Sequence, residues 1–205
     1  MAINRKFFYD FCRLNLFDGR LSRPQVEGLE LILNIWEPHH SALDDRWLAY
    51  ILGTAHHETG RTMQPVRETF ANTDEQAIRT LERAWKMGRL PWVSEPYWIR
   101  DADGKCWIGR GFVQLTHKTN YAKMSHRLKI DLITNPDVAM QPQIAANILV
   151  RGMIEGAFTG RNLGRYFAPQ KDDWRNARRI VNGLDKAELV ASYARKYYSA
   201  LSYTI

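Results

Sequence analysis

Asp45-Arg46-Trp47-Leu48-Ala49-Tyr50-Ile51-Leu52-Gly53-Thr54-Ala55-His56-His57-Glu58-Thr59-Gly60 is the stretch whose reading decides the fold class. Trp47, Leu48, Ile51, Leu52 and Ala55 recur at the three- and four-residue spacing of an apolar helical stripe. Asp44 or Asp45 is placed to cap its start, and Gly60 supplies a stop. Glu58 falls on the same stripe, so a carboxylate continues an apolar face into the last turn. Burial and the negative end of the helix dipole both disfavour its charged form. A general acid working near neutral pH requires that. The plainer alternative is a side chain that turns into solvent as the helix frays.

Working outward, the helical period continues almost everywhere. Ile3, Phe7, Phe8, Phe11 and Leu14 fit a first amphipathic helix, with Gly19 beyond its end. Ser22 and Gln25 form a capping box, after which Val26, Leu29, Leu33 and Trp36 line one face until Pro38 is expected to stop the run. Thr73 and Gln76 form a second box, opening a helix that carries Ile78, Leu81 and Trp85 and ends near Gly88. Gly88–Gly111 reads as a long irregular loop, and loops of that length in a compact domain are often functional. Phe112–Thr116 is a short strand or a helix entry; further helices are predicted over Lys118–Leu128, Gln143–Glu155, Asp173–Val181 and Lys186–Leu201. With no repeat and no linker, the expectation is one mainly helical domain over 1–205.

Composition narrows the classes. A chain of 205 residues, 45% hydrophobic and 25% charged, is that of an ordinary globular protein. It buries roughly 70% of its unfolded surface and needs no metal or disulfide staple. No apolar run approaches the ~18–20 residues of a membrane span. The first ten residues lack the apolar core of a secretory signal, so synthesis and retention in the cytoplasm are expected unless another device exports the chain. Cys12 and Cys106 are expected to be reduced, and no zinc pattern is present. The net charge of +7 favours a polyanionic partner: nucleic acid, anionic lipid or an acidic cell-wall polymer. The densest cluster is Arg175, Arg178 and Arg179, and no nucleic-acid motif accompanies it.

Three segments hold candidate chemistry. His56 and His57 beside Glu58 suggest a metal site, but a His-Glu-x-x-His motif requires histidine where Arg61 stands. Either histidine is then a cleft residue or a structural one. Glu68 lies ten residues beyond Glu58, flanked by Arg67 and Thr69, and a nearby guanidinium favours the ionised form. Two carboxyls in opposed environments are the arrangement of glycoside hydrolysis, although most such pairs are only solvated charges. Gly109-Arg110-Gly111-Phe112-Val113-Gln114-Leu115-Thr116 is either a ligand-facing segment or a glycine-rich turn into a buried strand. If it is extended, Gln114 and Thr116 share a face, and a threonine hydroxyl both donates and accepts, as holding a water requires.

With these segments in view, the chain resembles glycoside hydrolase family 19, more closely its bacteriophage and prophage endolysin branch than its plant-type chitinases. The resemblance runs from Asp45-Arg46-Trp47-Leu48-Ala49-Tyr50 through His57-Glu58-Thr59, Met63–Glu68, Gly109–Thr116 and Asn120-Tyr121 to Ala177–Gly183. It implies a mainly α, lysozyme-like two-lobed fold with a sugar cleft and little or no β structure. It also implies cleavage of a β-1,4 glycosidic bond with inversion and no metal or other cofactor. Residue by residue, Glu58 matches the general acid, Glu68 the general base and Thr116 the residue that positions the attacking water. Gln114, Asn120 and Asn182 match polar residues of the cleft, and His57 and Tyr121 match further cleft positions. Arg61 replaces a glycine common in relatives, and Leu184-Asp185 departs from the chitinase pattern, leaving Asp185 a candidate third acid.

The resulting expectation is a muramidase-type endolysin acting on peptidoglycan glycan strands. The carboxyls would sit ~6.5–9.5 Å or somewhat more apart to admit the water. Trp92, Tyr97, Trp98 and Trp107 are candidate stacking walls, with at most one or two facing the cleft. No nucleic-acid partner and no stable membrane association are expected; access to the wall would follow a lesion made by a holin-like membrane partner. The alternatives are a chitinase, a non-catalytic wall-binding module and a basic nucleic-acid binder.

Overall fold

The computed structural model describes residues 3–202; Met1, Ala2 and residues 203–205 lie outside the described residues. Helices α1 (Arg5–Asn15), α2 (Arg23–His40) and α3 (Asp45–Glu58) open the chain, followed by α4 (Asp74–Lys86), α5 (Lys118–Leu128), α6 (Pro142–Glu155) and α7 (Ala187–Leu201). Among the described residues the strands are two antiparallel pairs of two residues each. In these, β1 (Val66–Arg67) pairs with β2 (Arg110–Gly111), and β3 (Phe167–Ala168) with β4 (Lys171–Asp172). The fold is mainly α, as the periodicity predicts, and no helix among the described residues is long and apolar enough to cross a membrane.

Local chemistry sets most boundaries. Both arms of the Ser22 capping box form, with Gln25 N–H donating to the serine and Gln25 Oε1 accepting from Ser22 N–H. At the second box Thr73 accepts from Gln76 N–H, but Gln76 Oε1 accepts from Asn72 N–H, one residue further back than expected. Asp44, not Asp45, caps α3, accepting from Arg46 N–H at 2.9 Å. Pro38 does not stop α2; it sits two residues from the end, where its missing N–H removes a backbone bond only from the last turn. The helix expected over Asp173–Val181 is reduced to a 3₁₀ turn, Asn176–Ile180.

The α3 helix is more central than an amphipathic stripe implies: every residue from Leu48 to His56 is buried. It packs most extensively on α7, where a Cβ on Gly53 would lie 2.8 Å from the backbone nitrogen of Ala194. Only glycine admits that approach. Around α3, the cores of α1, α2, α6 and α7 form one large apolar cluster. A smaller cluster, Ala77, Leu81, Trp98, Cys106 and Ile108, joins α4 to the irregular segment that follows it. The two clusters are the two lobes, and Cys12 and Cys106 are buried and unbridged.

Candidate active site

Between the lobes lies a cleft of about 490 Å³. Trp92, Val93, Ser94, Glu95 and Tyr97 contribute one wall from the smaller lobe, and Glu58, Phe158, Val181 and Asn182 the other. Val113–His117 and Asn120 complete the lining. Of the residues singled out in the sequence, Glu58, Gln114, Thr116, Asn120 and Asn182 therefore meet in one groove. His57, Glu68 and Tyr121 are not among its lining residues.

Glu58 ends α3 with its side chain 15% exposed, and Oε1 accepts from Arg178 Nη1 at 2.6 Å. Its surroundings are thus not the purely apolar ones expected from the stripe. Arg178 is 3% exposed, and its Nε donates to the Asp185 carbonyl at 3.1 Å. Asp185 enters this cluster through its backbone carbonyl, and its carboxylate acts electrostatically on His57. Glu58 Oε2 makes no hydrogen bond among the described residues, so one oxygen is anchored and one is available. The neighbouring His57 is half-buried, and that burial holds its imidazole below the usual range, with Glu58 opposing the shift.

Glu68 follows β1 and extends the ladder by one residue, its N–H donating to Gly109 O at 2.7 Å. Its carboxylate accepts from Gly109 N–H at 2.7 Å and from the Tyr97 hydroxyl. Burial and the Glu68 charge push the Tyr97 hydroxyl up, so it stays protonated and donates. Both partners of Glu68 are donors, an arrangement that suits an anion. Glu68 reaches the cleft through Tyr97, which lines it. A Cβ on Gly109 would meet Gln114 Oε1 at 2.7 Å, so the Gln114 side chain would have to shift to admit one.

Phe112–Thr116 is neither a strand nor a helix entry. The chain folds back so that Leu115 bridges Arg110, with Gln114 at φ 53° and its Nε2 donating to Val66 O at 2.9 Å. The Thr116 hydroxyl donates to Gln114 O at 2.8 Å, and the Thr116 carbonyl accepts from Asn120 Nδ2 at 2.9 Å. With its own hydrogen committed, the hydroxyl faces a ligand as an acceptor. Asn182 is exposed at the opposite rim, its Oδ1 accepting from Gly183 N–H at 2.7 Å.

Tyr121 lies beneath the site: it is fully buried, donating to Ile108 O at 2.9 Å and accepting from Arg110 at 2.9 Å. The α5 turn that presents Asn120 to the cleft necessarily points the next side chain inward. Among the four candidate aromatics, Trp92 (76% exposed) and Tyr97 line the cleft, whereas Trp98 and Trp107 are core. His56 is structural, fully buried with Nδ1 3.0 Å from the Tyr197 hydroxyl.

Sequence reasoning missed Arg178 as a partner of Glu58, and Glu95, His117 and Phe158 as cleft residues. Arg178 had a signal, as a member of the densest basic cluster, with Arg175 and Arg179. The others had none. Backbone conformation adds an independent pointer. Among the described residues, six of the nine non-glycine positions with positive φ (Arg61, Met63, Thr69, Phe70, Gln114 and His117) lie on the segments carrying Glu68 and Thr116. Such conformations cost energy and gather at functional sites. Arg61, at φ 72°, occupies a glycine-like conformation, held by bonds from its guanidinium to Asp18 at 2.6 Å and the Leu16 carbonyl at 3.1 Å.

No protein-family model matches the chain, and no curated protein does. Among solved structures, a bacterial family 19 chitinase aligns over 95% of this chain and 95% of its own, with 21% identity and a TM-score of 0.39.

Proposed function

We propose that this protein is an inverting glycoside hydrolase of the family 19 type that cuts β-1,4 bonds in peptidoglycan glycan strands. The observation that carries the reading is the cleft itself. One carboxyl, Glu58, lines it together with the water-holding candidate Thr116, while a second, Glu68, is tied to the wall that carries Tyr97.

In this reading Glu58, protonated, passes its hydrogen from the free Oε2 to the glycosidic oxygen as the bond breaks. Arg178 holds the other oxygen and fixes the direction of transfer. A water donates one hydrogen to Glu68 and the other to Thr116 Oγ1, whose own hydrogen is committed to Gln114 O. Its lone pair then points at the anomeric carbon from the face opposite the leaving group, the geometry of inversion. Each Glu68 oxygen already accepts one bond and retains a lone pair for that water. Gln114, Asn120 and Asn182 orient acetamido and hydroxyl groups, and the exposed face of Trp92 stacks on a sugar ring. The excess of positive charge suits an anionic wall. The endolysin role, with access through a membrane lesion, rests on the sequence resemblance.

The test is the release of reducing ends from purified peptidoglycan and from N-acetylglucosamine oligomers, with products identified by mass spectrometry. Reducing-end muramic acid from peptidoglycan is the expected product. Preference for the oligomers would make the enzyme a chitinase instead, and anhydro products would remove Glu68 from the base role. Glu58→Gln preserves an acceptor for Arg178 and is expected to lower turnover by roughly 10²–10⁴-fold. Undiminished activity in that variant refutes the assignment.

A further inference from the structure

The register of β1 and β2 sets Arg67 directly opposite Arg110. Like charges facing each other across a strand pair are destabilising, and two-residue strands have little pairing energy with which to resist. Two aspartates from outside the pair reverse the sign. Asp74, the first residue of α4, takes Arg67 Nε at 2.9 Å and Arg110 Nη2 at 2.5 Å. Asp137, in the 3₁₀ turn Pro136–Met140 ahead of α6, takes Arg67 Nη2 at 2.8 Å and Arg110 Nε at 2.9 Å. Four ion pairs close a ring of alternating charge. Arg110 is 1% exposed, and its Nη1 donates to the Tyr121 hydroxyl at 2.9 Å and the Cys106 carbonyl at 3.2 Å.

The ring's place in the chain gives it a role beyond cohesion. Asp74 belongs to the helix of the smaller lobe and Asp137 to a turn packed on α6 of the larger one, so the ring spans both. The next residues along the ladder are Glu68 and Gly109, joined by both the backbone bond and the carboxylate bond described above. Immediately beyond Glu68, Thr69 and Phe70 are held at φ 60° and 56°. A segment in that conformation relaxes unless its neighbours over-determine it. We propose that Arg67, Asp74, Arg110 and Asp137 are positioning residues that hold the Glu68 carboxylate in its working place relative to the cleft. The inference rests on the reading of Glu68 as the base and adds the device that aims it.

Asp137, whose side chain is about half exposed, is the member whose change is tolerated best, and Asp137→Asn removes its charge at constant size. Amide hydrogen exchange on the whole protein is expected to quicken about tenfold or more at Glu68 and Gly109, with α3 and α7 unchanged. On soluble, uncrosslinked glycan strands kcat is expected to fall about tenfold with KM within about twofold, since a small misplacement of a reacting group costs rate and not binding. Asp137→Glu is expected to restore both readouts in part. Arg67→Lys, which keeps the charge but cannot bridge two carboxylates, is expected to reproduce the Asn phenotype and serves if Asp137→Asn does not fold. Unchanged exchange at Glu68 and Gly109 overturns the proposal, as does quickened exchange with an unchanged kcat. A wild-type protein that releases no reducing ends would remove the hydrolase reading and leave the exchange result to judge the ring.

Discussion

His56 makes a quantitative prediction about the helix that carries Glu58. Its imidazole is fully buried against Phe17 and Tyr193, with ring centroids 5.0 and 4.3 Å away. Burial is the first cause that pulls it down to about 3, with the Arg61 and His57 charges adding to the effect. Nε2 has no hydrogen-bond partner among the described residues, so a cationic ring, with both nitrogens protonated, would bury an N–H that has no acceptor. In the unfolded chain an imidazole titrates near 6.5. As pH falls through 6.5 the unfolded state takes up a proton that the folded state refuses until about 3, so stability is lost across that window and not regained. Between pH 7 and pH 5 the linkage integral for this one group is about 1.9 kcal/mol, insensitive to the exact folded value because that value lies well below the window. For a chain of this size it corresponds to roughly 4–8 °C in Tm. The perturbation is His56→Gln, whose amide can pair with the Tyr197 hydroxyl as donor or acceptor and does not titrate. Urea unfolding of wild type and variant at pH 7 and pH 5 isolates the term, since the other titrating groups are common to both chains. The wild type is expected to lose about 2 kcal/mol more than the variant; equal losses would show that His56 is protonated or solvated in the folded state and would refute the argument.

Two shorter predictions follow from packing and from the cleft. Gly53→Ala places a methyl 2.8 Å from the α7 backbone; overpacking of that kind costs about 1–3 kcal/mol, read as a lower urea midpoint, and an unchanged midpoint would mean that α3 and α7 are less tightly joined than described. Trp92→Ala removes an exposed indole from the cleft wall, so KM on soluble glycan strands is expected to rise roughly three- to tenfold, the equivalent of one aromatic contact, with Tm unchanged; an unaltered KM would remove Trp92 from the binding surface.

The ends of the helices, and with them most of the architecture, were legible because they follow from interactions within a few residues. Caps at Ser22, Thr73 and the Asp44–Asp45 pair, the stop at Gly60 and the apolar spacing of α3 act at short range, and the structure keeps them with small changes of partner. Pro38 and Asp173–Val181 were misread because the cost of a proline depends on its distance from the helix end, and a 3₁₀ turn shares its apolar spacing with an α-helix. The cleft polar residues Gln114, Thr116, Asn120 and Asn182 were placed by motif. Tyr121 was not, since a residue beside a cleft residue on a helix points elsewhere.

By itself, then, the sequence settled the mainly helical class, the caps and the position of Glu58 at the end of an apolar helix, all consequences of period and local hydrogen bonding. Only tertiary structure decided what that carboxylate touches. Arg178 lies 120 residues further along the chain, and the Tyr97 that holds Glu68 lies 29 residues away within an irregular segment. The physical reason is that charge pairing acts through space: no periodicity encodes which arginine will close on which carboxylate once two lobes pack together.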